Sequence, residues 1–268
     1  MNKMKWTQIA LTACLLIMVS AVATQATVLR AFVSSTGNDA NAASNCPQTT
    51  PCKTFAGAFP VVTAGGELIA LDTSGYGPLT ITHAITIATV PGATAFVVAA
   101  TGTSGFTVSA GATDLVVLRN INVNGSGAAS TTGITHNSGK LEVYDCKFSQ
   151  LTTGISLVNS KAMLVDCVIT GNTTGASVNG TGMDTNVPGT PATALLTMSR
   201  GSLTNNGTAL VSINPGANPV YNIYLHGPSN LSWYTNIAHN TTFMTASGTG
   251  CPCGANPATY SGGNGNPH

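Results

Sequence analysis

Charge is the first thing this sequence lacks. Lysine and arginine together number 9 and aspartate and glutamate 8, so charged residues make up 6% of the 268; an ordinary soluble protein carries about 25%. Long solvated helices laced with ion pairs, and coiled coils, need far more. A nucleic-acid binder needs a basic stripe, and there is none. Also missing are an apolar run of about 20 residues, the length a comfortable membrane span requires, and any Cys or His cluster with zinc-ligand spacing. What is present is a near-normal apolar share, 43%, with a mean hydropathy of +0.25, which argues against disorder throughout. Thr, Ser, Asn and Gly take the place of charge. Together with abundant Val, Ile and Leu they predict an all-β protein with ample length for a hydrophobic core.

The first 26 residues read as a secretory signal peptide. Lys3 and Lys5 form a positive start, an apolar run follows from Ile9 to Val22, and small residues offer cleavage after Ala23 or Ala26. Leu11-Thr12-Ala13-Cys14 offers a competing lipoprotein reading, but the apolar run continues past Cys14. Without Lys3 and Lys5 the balance is 9 − 2 = 7 basic against 8 acidic residues, near −1. Six cysteines then remain, an even number suited to an oxidising compartment. Cys46 and Cys52 flank a proline-bounded loop and are expected to pair. The partners of Cys251 and Cys253, in a Gly/Asn/Pro-rich tail, stay open.

The strongest signal is a repeat. Lys140 to Phe148 aligns with Lys161 to Ile169 at an offset of 21, and Thr152 to Leu157 aligns with Thr173 to Val178 at the same offset. Leu118 to Val123 matches Val143 to Phe148 at 25, which implies a four-residue insertion, and Met198 to Leu203 continues the pattern at 34 after an insertion around 180–193. A period of 20–25 that tolerates insertions at fixed places marks a solenoid. Each period holds three short alternating segments separated by turns, too short for helices. Three strands per coil, stacked in parallel about 4.8 Å apart, make a parallel β-helix of roughly seven coils. Residues 27–65 read as a first strand, disulfide loop and cap, 66–242 as the β-helix, and 243–268 as an irregular tail.

Gly65 to Leu71, Ser74 to Gly77 and Leu79 to Ile87 resemble the opening coils of the pectate-lyase-like, right-handed parallel β-helix superfamily. Phe32 to Asp39 resembles its first strand and loop, and Pro51 to Ala58 the short helix that caps the open end. His83 departs from the pattern, where the family commonly has Lys. The resemblance covers most of the chain and speaks for the fold more than for function, because this fold hosts lyases, hydrolases, epimerases, tailspikes and adhesins. It implies that a site lies on the outer face of one sheet. The outward residues there are expected to be Thr107, Thr135, Ser156 and Ser177, then Val211, a ladder with no charge.

Other candidates are weighed by register. Asp145 and Asp166 stack on adjacent coils, so their carboxylates are candidates for a glycosidase pair about 5 Å apart or for a shared cation. The ordinary reason for that column, which Asn120 and Arg200 continue, is a left-handed turn. Cys146 and Cys167 read as stacked buried thiols or a rung-to-rung disulfide, and His136, where Leu157 and Val178 point inward, as a partly buried histidine at a strand end, hydrogen-bonded to a turn. Lys140 and Lys161 form an exposed column. A catalytic site, if present, is expected at Asp166, Asp184, Lys161 and Arg200. The leading functional reading is a secreted or periplasmic, non-catalytic scaffold that contacts polysaccharide or cell-surface glycans and needs no cofactor. The alternative is a diverged polysaccharide lyase, hydrolase or epimerase, for which Ca²⁺ enters only in the lyase case. An adhesin or coat subunit is a third. Oligomeric state stays open.

Overall fold

A computed structural model describes residues 27–180, 194–214, 223–226, 236–238, 242–248 and 259–260. Short strands recur in threes and stack into three parallel sheets, a parallel β-helix solenoid. The first sheet runs Val28–Val33, Val62–Ala70, Ile85–Thr89, Leu115–Arg119, Lys140–Tyr144, Lys161–Val165, Leu195–Ser199 and Ile223–His226. The second runs from Ser74–Gly75 through Ala95–Val98, Ile121–Asn124, Lys147–Ser149, Val168–Thr170 and Ser202–Thr204 to Asn236–Ala238. The third runs from Leu79–Ile81 through Ser104–Ser109, Thr132–Ser138, Thr153–Val158, Thr174–Asn179 and Thr208–Asn214 to Thr242–Gly248. Thr259–Tyr260 closes it with an antiparallel pairing. This sheet therefore extends to Gly248, past the boundary read at 242, where Gly and Asn become frequent.

The register is the one the offset of 21 demands. Lys140 to Tyr144 pair with Lys161 to Val165, Lys147 with Val168, and Ser156 with Ser177. Inward positions stack into apolar columns. Leu68, Ile87, Leu118, Val143, Leu164 and Met198 form one on the first sheet, and Val97, Val123, Phe148, Ile169 and Leu203 another on the second. All are buried. One coil alone covers none of these side chains. Stacking covers them on both sides, each contributing roughly 1.5–3 kcal/mol.

Between the second and third sheets the buried turns are held by asparagine side chains. Asn172 donates to Phe148 O at 3.1 Å and to Asn206 Oδ1 at 3.0 Å, while its own Oδ1 accepts from Leu151 N at 2.9 Å. Asn206 repeats the donation one coil on, to Ile169 O at 3.0 Å. The side-chain amides thus satisfy backbone groups that a buried turn leaves without strand partners. On two of these coils stacking requires a glycine at the start of the next strand: a Cβ on Gly154 lies 2.4 Å from Gly175 O, and one on Gly175 lies 2.4 Å from Ala209 O.

The N-terminal end is sealed. Cys46 and Cys52 form the expected disulfide, with Cα atoms 5.1 Å apart. The bridged loop pairs with the outer edge of the first strand, through Phe32 N to Cys46 O, Cys52 N to Phe32 O and Ser34 N to Cys52 O, and blunts an edge that would otherwise invite pairing. Asp39 accepts from Lys53 N, Thr54 N and Thr54 Oγ1. Thr54 in turn caps the short helix Phe55–Ala58 by accepting from Gly57 N. That helix places Phe55 on the solenoid end, 5.1 Å from Tyr76 and 6.3 Å from Phe106 between ring centroids. Among the described residues no helix is long and apolar enough to cross a membrane.

Candidate functional site

The turn between the first and second sheets carries the Asp column. Asn120, Asp145, Asp166 and Arg200 occupy it with φ of 56, 53, 55 and 52°, the left-handed conformation that Asn and Asp tolerate best. Backbone bonds from Asp145 N to Val165 O and from Asp166 N to Ser199 O fix the stacking. Arg200 clasps Asp166 with both prongs, Nε to Oδ1 at 2.8 Å and Nη2 to Oδ2 at 2.6 Å. That fork holds the Asp166 carboxyl below its ordinary pKa of 3.8, outweighing a small opposing effect of burial. Its two oxygens are therefore spent on a cation already in the chain. Among the described residues no group of three or more His, Cys, Asp or Glu is placed to hold a metal.

Lys161 does not join this pair. It opens the strand whose far end leads into Asp166, and five residues of strand separate them by about 16 Å. Asp184 lies outside the described residues. The cluster expected of Asp166, Asp184, Lys161 and Arg200 thus reduces, among described residues, to the Asp166–Arg200 pair, because Lys161 sits at the opposite edge of the sheet.

One residue before the turn, the outer face of the first sheet holds an arrangement that sequence reading passed over. Arg119 lies over the ring of Tyr144, 4.1 Å from its centroid, and Tyr144 Oη donates to Glu142 Oε2 at 2.8 Å. The bond to Glu142 raises the tyrosine pKa. The signal was available in the offset of 25, which aligns Leu118 with Val143 and so puts Arg119 beside Tyr144, both pointing outward. Tyr144 thus holds both partners, Arg119 on its ring face and Glu142 at its hydroxyl, and the trio braces adjacent coils.

Asp72 holds a further arrangement, one with no sequence signal. It accepts from Ser34 Oγ, Ser35 N, Ser35 Oγ and Tyr76 Oη. Burial alone raises its pKa, but the bonds from Tyr76, Ser35 and Ser34 outweigh that and hold the carboxyl at about 2. The buried Tyr76 hydroxyl shifts the other way, pushed above its usual range by burial and by Asp72. This network locks the first loop to the first coil.

Cys146 and Cys167 are buried free thiols. His136 differs from expectation. It is fully buried, and neither ring nitrogen has a hydrogen-bond partner. Its place between Val108 and Leu157 in an inward column sets the ring against apolar neighbours on both sides. His83 stacks on Phe59 at 4.3 Å.

The third sheet presents the hydroxyl ladder. Thr80, Thr107, Thr135, Ser156, Ser177 and Val211 are in register. A parallel column, Ser104, Thr132, Thr153, Thr174 and Thr208, stands at the strand starts. Neither column contains a charge. Among the described residues, Ser104 and Thr135 share a 2.7 Å bond between columns, and the other hydroxyls face outward. Comparison with family models, with curated proteins and with solved structures yields no match.

Proposed function

We propose that this protein is a secreted or periplasmic, non-catalytic scaffold that binds glycans along the outer face of its third sheet, and that it belongs with the right-handed, pectate-lyase-like β-helices. The observation that carries the reading is the pair of uncharged Thr/Ser columns, repeated once per coil on a rigid support. Sugar hydroxyls both donate and accept, and a threonine hydroxyl does the same. A disulfide at Cys46–Cys52 fits an oxidising compartment, and the engagement of Asp166 by Arg200 leaves no free acid–base pair there. The resemblance of Phe32 to Asp39 and Pro51 to Ala58 to the superfamily's opening elements supports the family assignment.

Binding of soluble polysaccharides, measured by affinity electrophoresis, tests the reading. Retardation is expected, and Thr107→Val with Ser156→Val should abolish it while leaving the thermal midpoint within a few degrees. Incubation with uronate and neutral polysaccharides, with and without Ca²⁺, should release no product. Turnover lost in Asp166→Ala or Asp184→Ala overturns the non-catalytic half of the proposal.

A further inference from the structure

The hydroxyl face ends in a groove, and the groove is uncharged. Between the second and third sheets most coils turn tightly, through Gln150 at φ 56° and Gly171 at φ 67°. One coil carries the four-residue insertion, and there residues 125–130 project as a loop. The loop is anchored: Ser126 N donates to Asn124 Oδ1, Ala128 N to Gly125 O, and Gly102 N of the preceding coil to Ala129 O. It overhangs the turns of the next two coils and bounds a shallow, open groove of about 580 Å³. Ser126, Ala128 and Ala129 form its wall, and Gln150, Thr152 and Thr173 its floor.

We infer that this groove seats a short stretch of an uncharged polysaccharide, whose chain continues over the threonine columns. Thr152 and Thr173 immediately precede Thr153 and Thr174, so the groove opens directly onto the column at the strand starts. No charged residue lines it; a uronate, sulfate or phosphate group entering it loses water without gaining a counter-charge. Gln150 supplies a donor and an acceptor from one amide. Thr173 adds a hydroxyl, and the methyls of Ala128 and Ala129 offer apolar contact to the carbon face of a sugar ring. Thr152 is held in place by a bond from Thr131 N at 3.1 Å, so the floor is ordered before a ligand arrives. The inference rests on the glycan-binding reading and adds to it a location and a substrate class.

Titration calorimetry with cellohexaose, xylohexaose, mannohexaose and hexagalacturonate on the full chain tests it. At least one neutral hexasaccharide should bind, and hexagalacturonate should bind at least tenfold more weakly. Gln150→Ala with Thr173→Ala should weaken neutral binding roughly five- to tenfold, the scale of one or two hydrogen bonds. Ala129→Trp, which fills the groove from an exposed position, should abolish it. Unchanged affinity in both variants, together with loss in Thr107→Val/Ser156→Val, overturns the groove and leaves the glycan face standing. Binding of hexagalacturonate as tight as that of the neutral probes overturns the substrate class. If none of the four probes binds, both the groove and the glycan reading fall.

Discussion

His136 sets how the folded chain meets acid. Burial lowers its pKa from 6.5 to about 4. The unfolded chain takes up this proton near 6.5 and the folded chain only near 4. Stability is therefore complete above 6.5, falls as the pH drops through that window, and levels below 4. The loss amounts to about 3 kcal/mol. His136→Leu, matching Leu157 on the next coil, should remove most of the decline, read as urea midpoints at pH 7.5, 5.5 and 4; an equal decline in the variant refutes the assignment. Asp72 acts in a separate window. Its depressed carboxyl contributes stability above 3.8 that is lost only as the pH falls through about 2. The thiols give a second residue-scale prediction. Burial drives Cys146 well above the ordinary thiol range and Cys167 up to about 12, so iodoacetamide at pH 8 should spare both in the native protein. In urea without reductant, peptide mapping should find both labelled and Cys46 and Cys52 untouched.

At the scale of the element, the asparagine turn is the feature most exposed to substitution. Asn172→Ala strips a donor from Phe148 O and an acceptor from Leu151 N, both buried, and leaves Asn206 Oδ1 with one bond fewer. The expected cost is about 2–3 kcal/mol, measurable as a shift in the denaturant midpoint, whereas the exposed Thr173→Ala should cost under about 0.5 kcal/mol. This element was half legible in the sequence. Asn205-Asn206-Gly207 aligns with Gly171-Asn172-Thr173 at the offset of 34, which marks the position as a turn. Nothing in the spacing says that the amide points inward and ties three coils together. The turn at Asp145 and Asp166 was legible in the same way: stacking follows from the offset, while the clasp by Arg200 depends on a side chain 34 residues on reaching back.

For the whole molecule, the low charge predicts indifference to salt. The two ion pairs among the described residues, Arg30–Glu67 and Arg200–Asp166, are both at the surface, where such pairs contribute roughly 0–1 kcal/mol. The thermal midpoint should move by less than about 2 °C between 10 mM and 500 mM NaCl; a larger fall points to an electrostatic network that the described residues do not contain. The architecture was legible because a solenoid writes its third dimension into its period: once Lys140 aligns with Lys161, every neighbour follows. The groove at residues 125–130 was not, since a four-residue insertion reveals a loop but not what it overhangs. The depth of His136 was hidden too, because period-2 alternation gives the direction of a side chain and not its distance from the surface.

Neighbour-only stacking also has a mechanical meaning. Each coil of the described solenoid grips the coil before it and the coil after it, with no contact that spans the barrel's length. A molecule held by its two ends and stretched should yield in a train of small rips. Each rip frees one coil, from 19 residues at Glu67–Thr86 to 34 at Met163–Thr197, about 6–12 nm of contour, and the stapled and helix-plugged end should be the last to let go.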